Sequence, residues 1–214
     1  MNDMPKPTSL ELAALISSKI CHDVIGPVGA ISNGLEILTE DDDSQAKTFA
    51  LDVIRNSTEQ ASARLQFARI AFGAAGSTGA MIDLGTAEQV SRGFVGRAKH
   101  RLAWKGPAGY IAKDQCKLLL NLVASGVAAL PRGGDIEVQV SGPLSAPQFT
   151  IRCSGQAARP PMFLAEFLAG GKVPPLDAMT IQPYYTAQLA ECAHMKVRIV
   201  ASGEAVVLEA SPRP

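Results

Sequence analysis

The sequence has no closely spaced cysteine pair, no excess of either charge, and only three histidines. Cys21, Cys116, Cys153 and Cys192 are far apart and form no C-x-x-C pair. That argues against a zinc knuckle or a redox dithiol and fits reduced thiols in a cytoplasmic chain. Lys and Arg number 20, as do Asp and Glu, for a formal net charge of zero. A general nucleic-acid binder carries a basic excess, so no nucleic-acid partner is expected. The first residues lack a basic stretch followed by a long apolar one, so no signal peptide is expected. The apolar run 118–130 is too short to span a bilayer, and no membrane partner is expected.

What is present is the makings of a packed core. Apolar residues make up 47% of the 214 and charged residues 19%, the balance of a globular chain. Residues 1–7 read as a short disordered tail. A helix is predicted over 8–39, with Thr8 and Glu11 as a capping box at its start. The acidic stretch 40–44 reads as a tight connection to a second helix over 45–72. There Ala50, Ile54, Ser57, Ala61, Leu65, Ala68 and Phe72 recur at spacings of three and four. Together the two make a helical hairpin, with a Gly/Ser/Ala-rich linker at 73–80.

Beyond the linker, helices are predicted over 86–98, 112–130 and 178–194. Strands are predicted over 135–141 and 148–153, and a hairpin joins 196–202 to 205–211 around Gly203 and Glu204. The proline-rich stretch 160–175 reads as a loop with a turn or two of helix. The expected fold class is α+β. A helical hairpin (1–75) precedes an α/β sandwich (81–214).

The first helix carries the candidate chemistry. Ala13, Ile16, Ile20, Val24, Pro27, Ile31, Leu35 and Leu38 form one apolar stripe. His22 lies two residues from both Ile20 and Val24, about 160–200° around the helix from that stripe, and should face solvent. Its neighbours on its own face, Ser18, Gly26 and Gly29, are all small. A glycine inside a helix costs about 1 kcal/mol against alanine, so two of them clear the surface at some expense. Pro27 removes one backbone hydrogen bond and should bend the helix just after the histidine. No metal ligand stands one turn on, and Cys21 beside His22 cannot face it for a catalytic pair. His100, in the basic cluster RAKHR, and His194, at a helix end, offer no alternative site.

The residues HDVIGP (22–27) resemble the H-[DE]-x-x-x-P phosphoacceptor box of histidine-kinase dimerisation domains. From SLELAALISSKICHDVIGPVGAISNGLEIL to the final hairpin, the chain is similar to the ChpT-type histidine phosphotransferases of alphaproteobacterial cell-cycle phosphorelays. The resemblance implies a homodimer joined through a four-helix bundle, and a C-terminal domain shaped like a kinase ATPase domain that binds no ATP. It implies that His22 takes phosphate through Nε2 from the receiver domain of a CckA-like hybrid kinase. His22 then passes it to CtrA-like and CpdR-like response regulators. No cofactor or metal is expected on this chain, because the receiver brings the Mg2+. Asp23 would orient the imidazole or accept its proton. Ser18, Lys19, Cys21, Ile25, Gly26 and Gly29 would meet the receiver, with Arg64 and Arg69 on the second helix as further candidates.

The second half agrees. KLLLNLVASGVAALPRGGDIEVQV (117–140) is similar to the kinase N-L-x-x-N-A helix and its following G-G-x-I strand. Asn121 matches the first asparagine, while Ser125 replaces the second, the expected magnesium ligand. Where the kinase D-x-G-x-G is expected, this chain has Cys153 for the aspartate, Gly155 for the first glycine and Ala157 for the second. The segment 181–194 lacks the G-x-G-L element. A site without its acid, metal ligand and phosphate-cradling glycines has lost the groups that hold ATP. Two other classes stay open: an ATP-dependent kinase fragment, and a catalytically silent dimeric scaffold that only binds receivers.

Overall fold

The computed structural model describes residues 7–40, 43–73, 79–96, 99–170 and 174–213. Most of the predicted tail, Asp41 and Asp42 of the first connection, and 74–78 of the linker lie outside the described residues.

Helix α1 (Ser9–Glu40) starts on the expected capping box. The Thr8 N–H donates to Glu11 Oε2 at 2.8 Å, and the Glu11 N–H donates back to Thr8 Oγ1 at 3.2 Å. Helix α2 (Ser44–Ala71) is capped by the Asp43 carboxylate, which accepts the N–H groups of Gln45 and Ala46. Such caps satisfy amides that the first turn leaves without partners.

The two helices pack closely at Gly34. A Cβ there would lie 2.7 Å from Ile54 Cγ1 and 3.2 Å from the Ala50 carbonyl oxygen, so only glycine permits this approach. Pro27 is buried on the same seam, with Ile16, Ile20, Val24, Ile31 and Leu38 half-buried along it. The predicted stripe needs one correction. Ala13, Leu35 and, on α2, Leu65 are exposed, Leu35 by 51% and Leu65 by 49%. The apolar arc of α1 is wider than a single neighbouring helix covers, so its far edge faces outward. α1 also has the length and apolarity of a membrane-crossing helix. In this structure it runs along α2.

α2 has a second apolar face. Phe67, Ile70 and Ala71 are buried in the core of the following α/β unit. That unit contains β1 (Met81–Asp83), α3 (Leu84–Val95), β2 (His100–Lys105), β3 (Tyr110–Ala112), α4 (Lys113–Ala129), β4 (Gly134–Ser141) and β5 (Gln148–Ser154). It continues with α5 (Leu164–Ala169), α6 (Ile181–Cys192), β6 (Met195–Ser202) and β7 (Ala205–Pro212). Five strands pair in the order β2-β4-β5-β7-β6, with β2 parallel to β4 and the other pairs antiparallel. Strands β1 and β3 form a separate two-stranded sheet.

Alternation places Ile136, Val138, Val140, Phe149, Ile151, Cys153, Val206 and Leu208 on one buried face of the sheet. Glu137, Gln139 and Arg152 are exposed on the other. α4, buried along nearly its whole length, packs against β4, β5 and β7, with α3 and α6 beside it. The architecture is therefore α+β, a helical hairpin followed by a two-layer α/β unit. β1, β2 and β3 are absent from the sequence reading. The predicted third helix stops at Val95, with Arg97 and Ala98 outside the described residues. His100 begins β2 and is buried, its Nε2 3.0 Å from the Leu130 carbonyl oxygen, rather than displayed in a basic surface cluster.

Candidate functional site

The His22 side chain is 67% exposed. It points away from the α1–α2 seam, as the helical spacing predicts. Ser18, Cys21, Ile25, Gly26 and Gly29 are all exposed around it, Ile25 by 71%. A Cβ built on Gly26 or Gly29 meets nothing within 4 Å. Packing within this chain therefore does not require either glycine, and both leave open space beside the imidazole. Gly26 has a further local use. The residue before a proline is pushed out of the helical region by a clash involving its Cβ, and glycine has none. α1 therefore continues through Pro27 to Glu40.

Asp23 and Lys19 are more enclosed, with side chains 26% and 21% exposed. The Lys19 ammonium contacts both carboxylate oxygens of Asp23, one helical turn away. Asp23 Oδ1 lies 3.6 Å from His22 Nδ1, beyond hydrogen-bond range. The carboxylate thus stands beside Nδ1 with its main partner on Lys19, and Nε2 is the ring nitrogen turned away from it. Arg64, from the sequence a candidate for receiver contact, is half-buried and donates through Nη1 to the Asp23 carbonyl oxygen. Arg69 is exposed. Sequence reasoning missed the Arg64 contact. The available signal was Pro27, whose missing N–H leaves the carbonyl four residues earlier, that of Asp23, without its helical donor.

The positions matched to a kinase nucleotide site are used differently here. Asn121 is fully buried and its Nδ2 donates to the Ala71 carbonyl at 3.2 Å and the Lys117 carbonyl at 2.9 Å. Ser125 Oγ donates to the Asn121 carbonyl at 2.9 Å. Gln182 Nε2 reaches that same carbonyl at 3.0 Å, Ser125 Oγ at 3.2 Å and Thr186 Oγ1 at 3.0 Å. Cys153 is buried against Gly126, where an added Cβ would lie 2.9 Å from its sulfur. Burial pushes the Cys153 thiol up to about 12. Ala157 keeps a left-handed backbone, φ 62°, at the position of the second glycine. Among the described residues, no group of three or more His, Cys, Asp or Glu side chains is placed to hold a metal ion.

Residues 84–205 match the family model described as the histidine phosphotransferase C-terminal domain. The chain is 46% identical over 204 residues to the protein phosphotransferase ChpT of Brucella abortus (strain 2308), covering 95% of this chain and 96% of that one. A bacterial phosphotransferase solved at 1.7 Å superposes with a TM-score of 0.90 at 43% identity, covering 97% of this chain and 98% of the other. A full-length likeness and a family model over the α/β unit agree: the chain belongs to the histidine phosphotransferase family.

Proposed function

We propose that His22 is the phosphoacceptor of this phosphotransferase, taking a phosphoryl group from a receiver aspartate of a CckA-like hybrid kinase. It then passes the group to response-regulator aspartates of the CtrA and CpdR type. The observation that carries this reading is the solvent-facing imidazole in a cleared patch of Ser18, Gly26 and Gly29. In each loading event Nε2 attacks phosphorus, a P–N bond forms, and the P–O bond to the aspartate breaks. The carboxylate leaves and the imidazole gives up its Nδ1 proton, with Asp23 nearby to accept it or to steady the ring. Onward transfer is the reverse process at a second receiver. The receiver contributes the Mg2+ that balances the moving charge, while this chain contributes position and a docking face built from Lys19, Cys21, Ile25 and the small residues.

ATP has no part in this scheme. The asparagine that matches a kinase site gives its amide N–H groups to the Ala71 and Lys117 carbonyls, its Oδ1 being buried without a partner, and a buried thiol stands where an adenine-binding carboxylate is expected. The hairpin (1–75) serves transfer and dimerisation, and 81–214 is a degenerate ATPase-like unit. Dimerisation is supported by exposed apolar residues at heptad spacing, Val28 with Leu35 on α1 and Leu51 with Leu65 on α2. Of these, Leu65 lines an open groove of about 610 Å3, together with Ala13, Ile16 and Ser17. A second hairpin seated there completes a four-helix bundle and leaves His22 on the outside. The chain works in the cytoplasm.

The test is phosphotransfer from a phosphorylated receiver domain to wild-type protein and to His22→Ala. Label is expected on the wild type alone. Equal label on both would remove His22 from the mechanism, and signalling that survives His22→Ala would favour a scaffold.

A further inference from the structure

In an α-helix each carbonyl accepts the N–H four residues later. For Asp23 that residue is Pro27, which has no N–H and whose ring crowds the same carbonyl. The orphaned group is the backbone oxygen of the residue immediately after His22. It is not left without a donor, because Arg64 Nη1 crosses from α2 to bond it. The carboxylate of the same residue is held by Lys19. Asp23 is therefore fixed at both ends, by α1 through its side chain and by α2 through its backbone.

Arg64 is also half-buried. With Phe67, Phe94 and Gln182 it lines a void of about 30 Å3 under the α/β unit, and Lys19 and Asp23 border the same void. Phe67 and Phe94 stack beside it with ring centroids 4.0 Å apart. A guanidinium is planar and rigid, so a bond made by it sets direction as well as distance.

We infer that Arg64 is a positioning residue for His22, restoring from the second helix the hydrogen bond that Pro27 removes and so fixing the turn that carries the imidazole. This rests on the reading of His22 as the phosphoacceptor. The open face at Gly26 and Gly29 gives the imidazole room, and the arginine keeps the turn that carries it at one geometry. Without Arg64 the turn from His22 to Pro27 keeps its missing bond and samples more than one orientation. The ring then meets the receiver's phosphoryl group in line less often, while the docking surface itself is unchanged.

The experiment is a double-mutant cycle of Arg64→Gln and Pro27→Ala, scored by phosphotransfer from a phosphorylated receiver domain. Arg64→Gln in the natural background should slow transfer at saturating receiver by about tenfold, the worth of one charge-assisted hydrogen bond, without raising the receiver's KM. In the Pro27→Ala background residue 27 regains its N–H, and the same change should cost less than about threefold. Equal losses in both backgrounds, or a loss confined to KM, overturn the inference. A structural readout runs beside it. The Arg64 guanidinium protons should exchange slowly in wild type and faster in Pro27→Ala, and fast exchange in wild type is equally fatal. Should wild-type protein accept no label on His22, the phosphoacceptor reading fails, while the guanidinium measurement still decides whether Arg64 holds the turn.

Discussion

Replacing Gly29 should make the protein more stable and worse at transferring phosphate. Gly29 lies inside α1, and a Cβ there touches nothing within 4 Å. Gly29→Ala therefore gains helix propensity and loses unfolded-state entropy with no steric cost, worth about 0.5–1 kcal/mol. For a chain of this size that is about 1–4 °C in Tm. Gly29→Gln keeps most of the gain, since glutamine is a good helix former, but puts a long side chain on the face of His22. If a receiver must approach there, moving it by an ångström costs up to about a hundredfold in rate. Urea unfolding at fixed protein concentration reads the first effect, because the apparent stability of any self-associating chain varies with concentration. Transfer from a phosphorylated receiver reads the second. A destabilised Gly29→Ala would refute the open geometry, and undiminished transfer by Gly29→Gln would remove this face from docking.

Asn121→Ala should cost about 1–3 kcal/mol in urea unfolding, since it opens a cavity and leaves the Ala71 carbonyl buried without its donor, offset in part by removing Asn121 Oδ1, which is buried without a partner. Faster amide exchange in the last turn of α2 should accompany it. Ala157→Gly relieves a left-handed φ of 62° and should gain about 0.5–1 kcal/mol, visible as a raised urea midpoint. Alkali should destabilise the fold. Burial, with Asp83 adding to it, pushes the Cys116 thiol from its ordinary 9.0 to about 12, and burial does the same for Cys153. Burial also raises the Tyr185 hydroxyl from 10.0 to about 12. In each case the unfolded chain gives up its proton first, so the folded state's advantage is whole below pH 9 and drains away between pH 9 and 12. Unfolding midpoints across that range should fall, and Cys116→Ala should flatten the decline.

Much of the hairpin was legible because its signals are local. Thr8 and Glu11 cap each other across three residues, and the apolar spacing of α1 turns His22 outward whatever surrounds it. The β6–β7 hairpin was legible for the same reason, a two-residue turn between alternating runs. What escaped was decided by distant partners. β2 reads as a weak polar strand, and its register depends on pairing with β4 across α4. β1 and β3 are three residues each and exist only through one another. Leu35 on α1 and Leu65 on α2 belong by pattern to apolar stripes, yet in each case one neighbouring helix is too narrow to cover both edges of the stripe. The Arg64 bond spans 41 residues. A proline rule announces the orphaned carbonyl, but no pattern along the chain names its donor.

The last turns of α2 bear on how this protein can be taken apart. Phe67, Ile70 and Ala71 belong by sequence to the hairpin and by burial to the interior shared with the sheet. A cut in the Gly/Ser/Ala-rich stretch after them divides the chain but not its interior. The downstream fragment would lose the Phe67 ring that stacks on Phe94, and the upstream one would carry three greasy side chains into water. The residues that give the histidine its scaffold are thus also ballast for the α/β unit, and neither half is a spare part for the other.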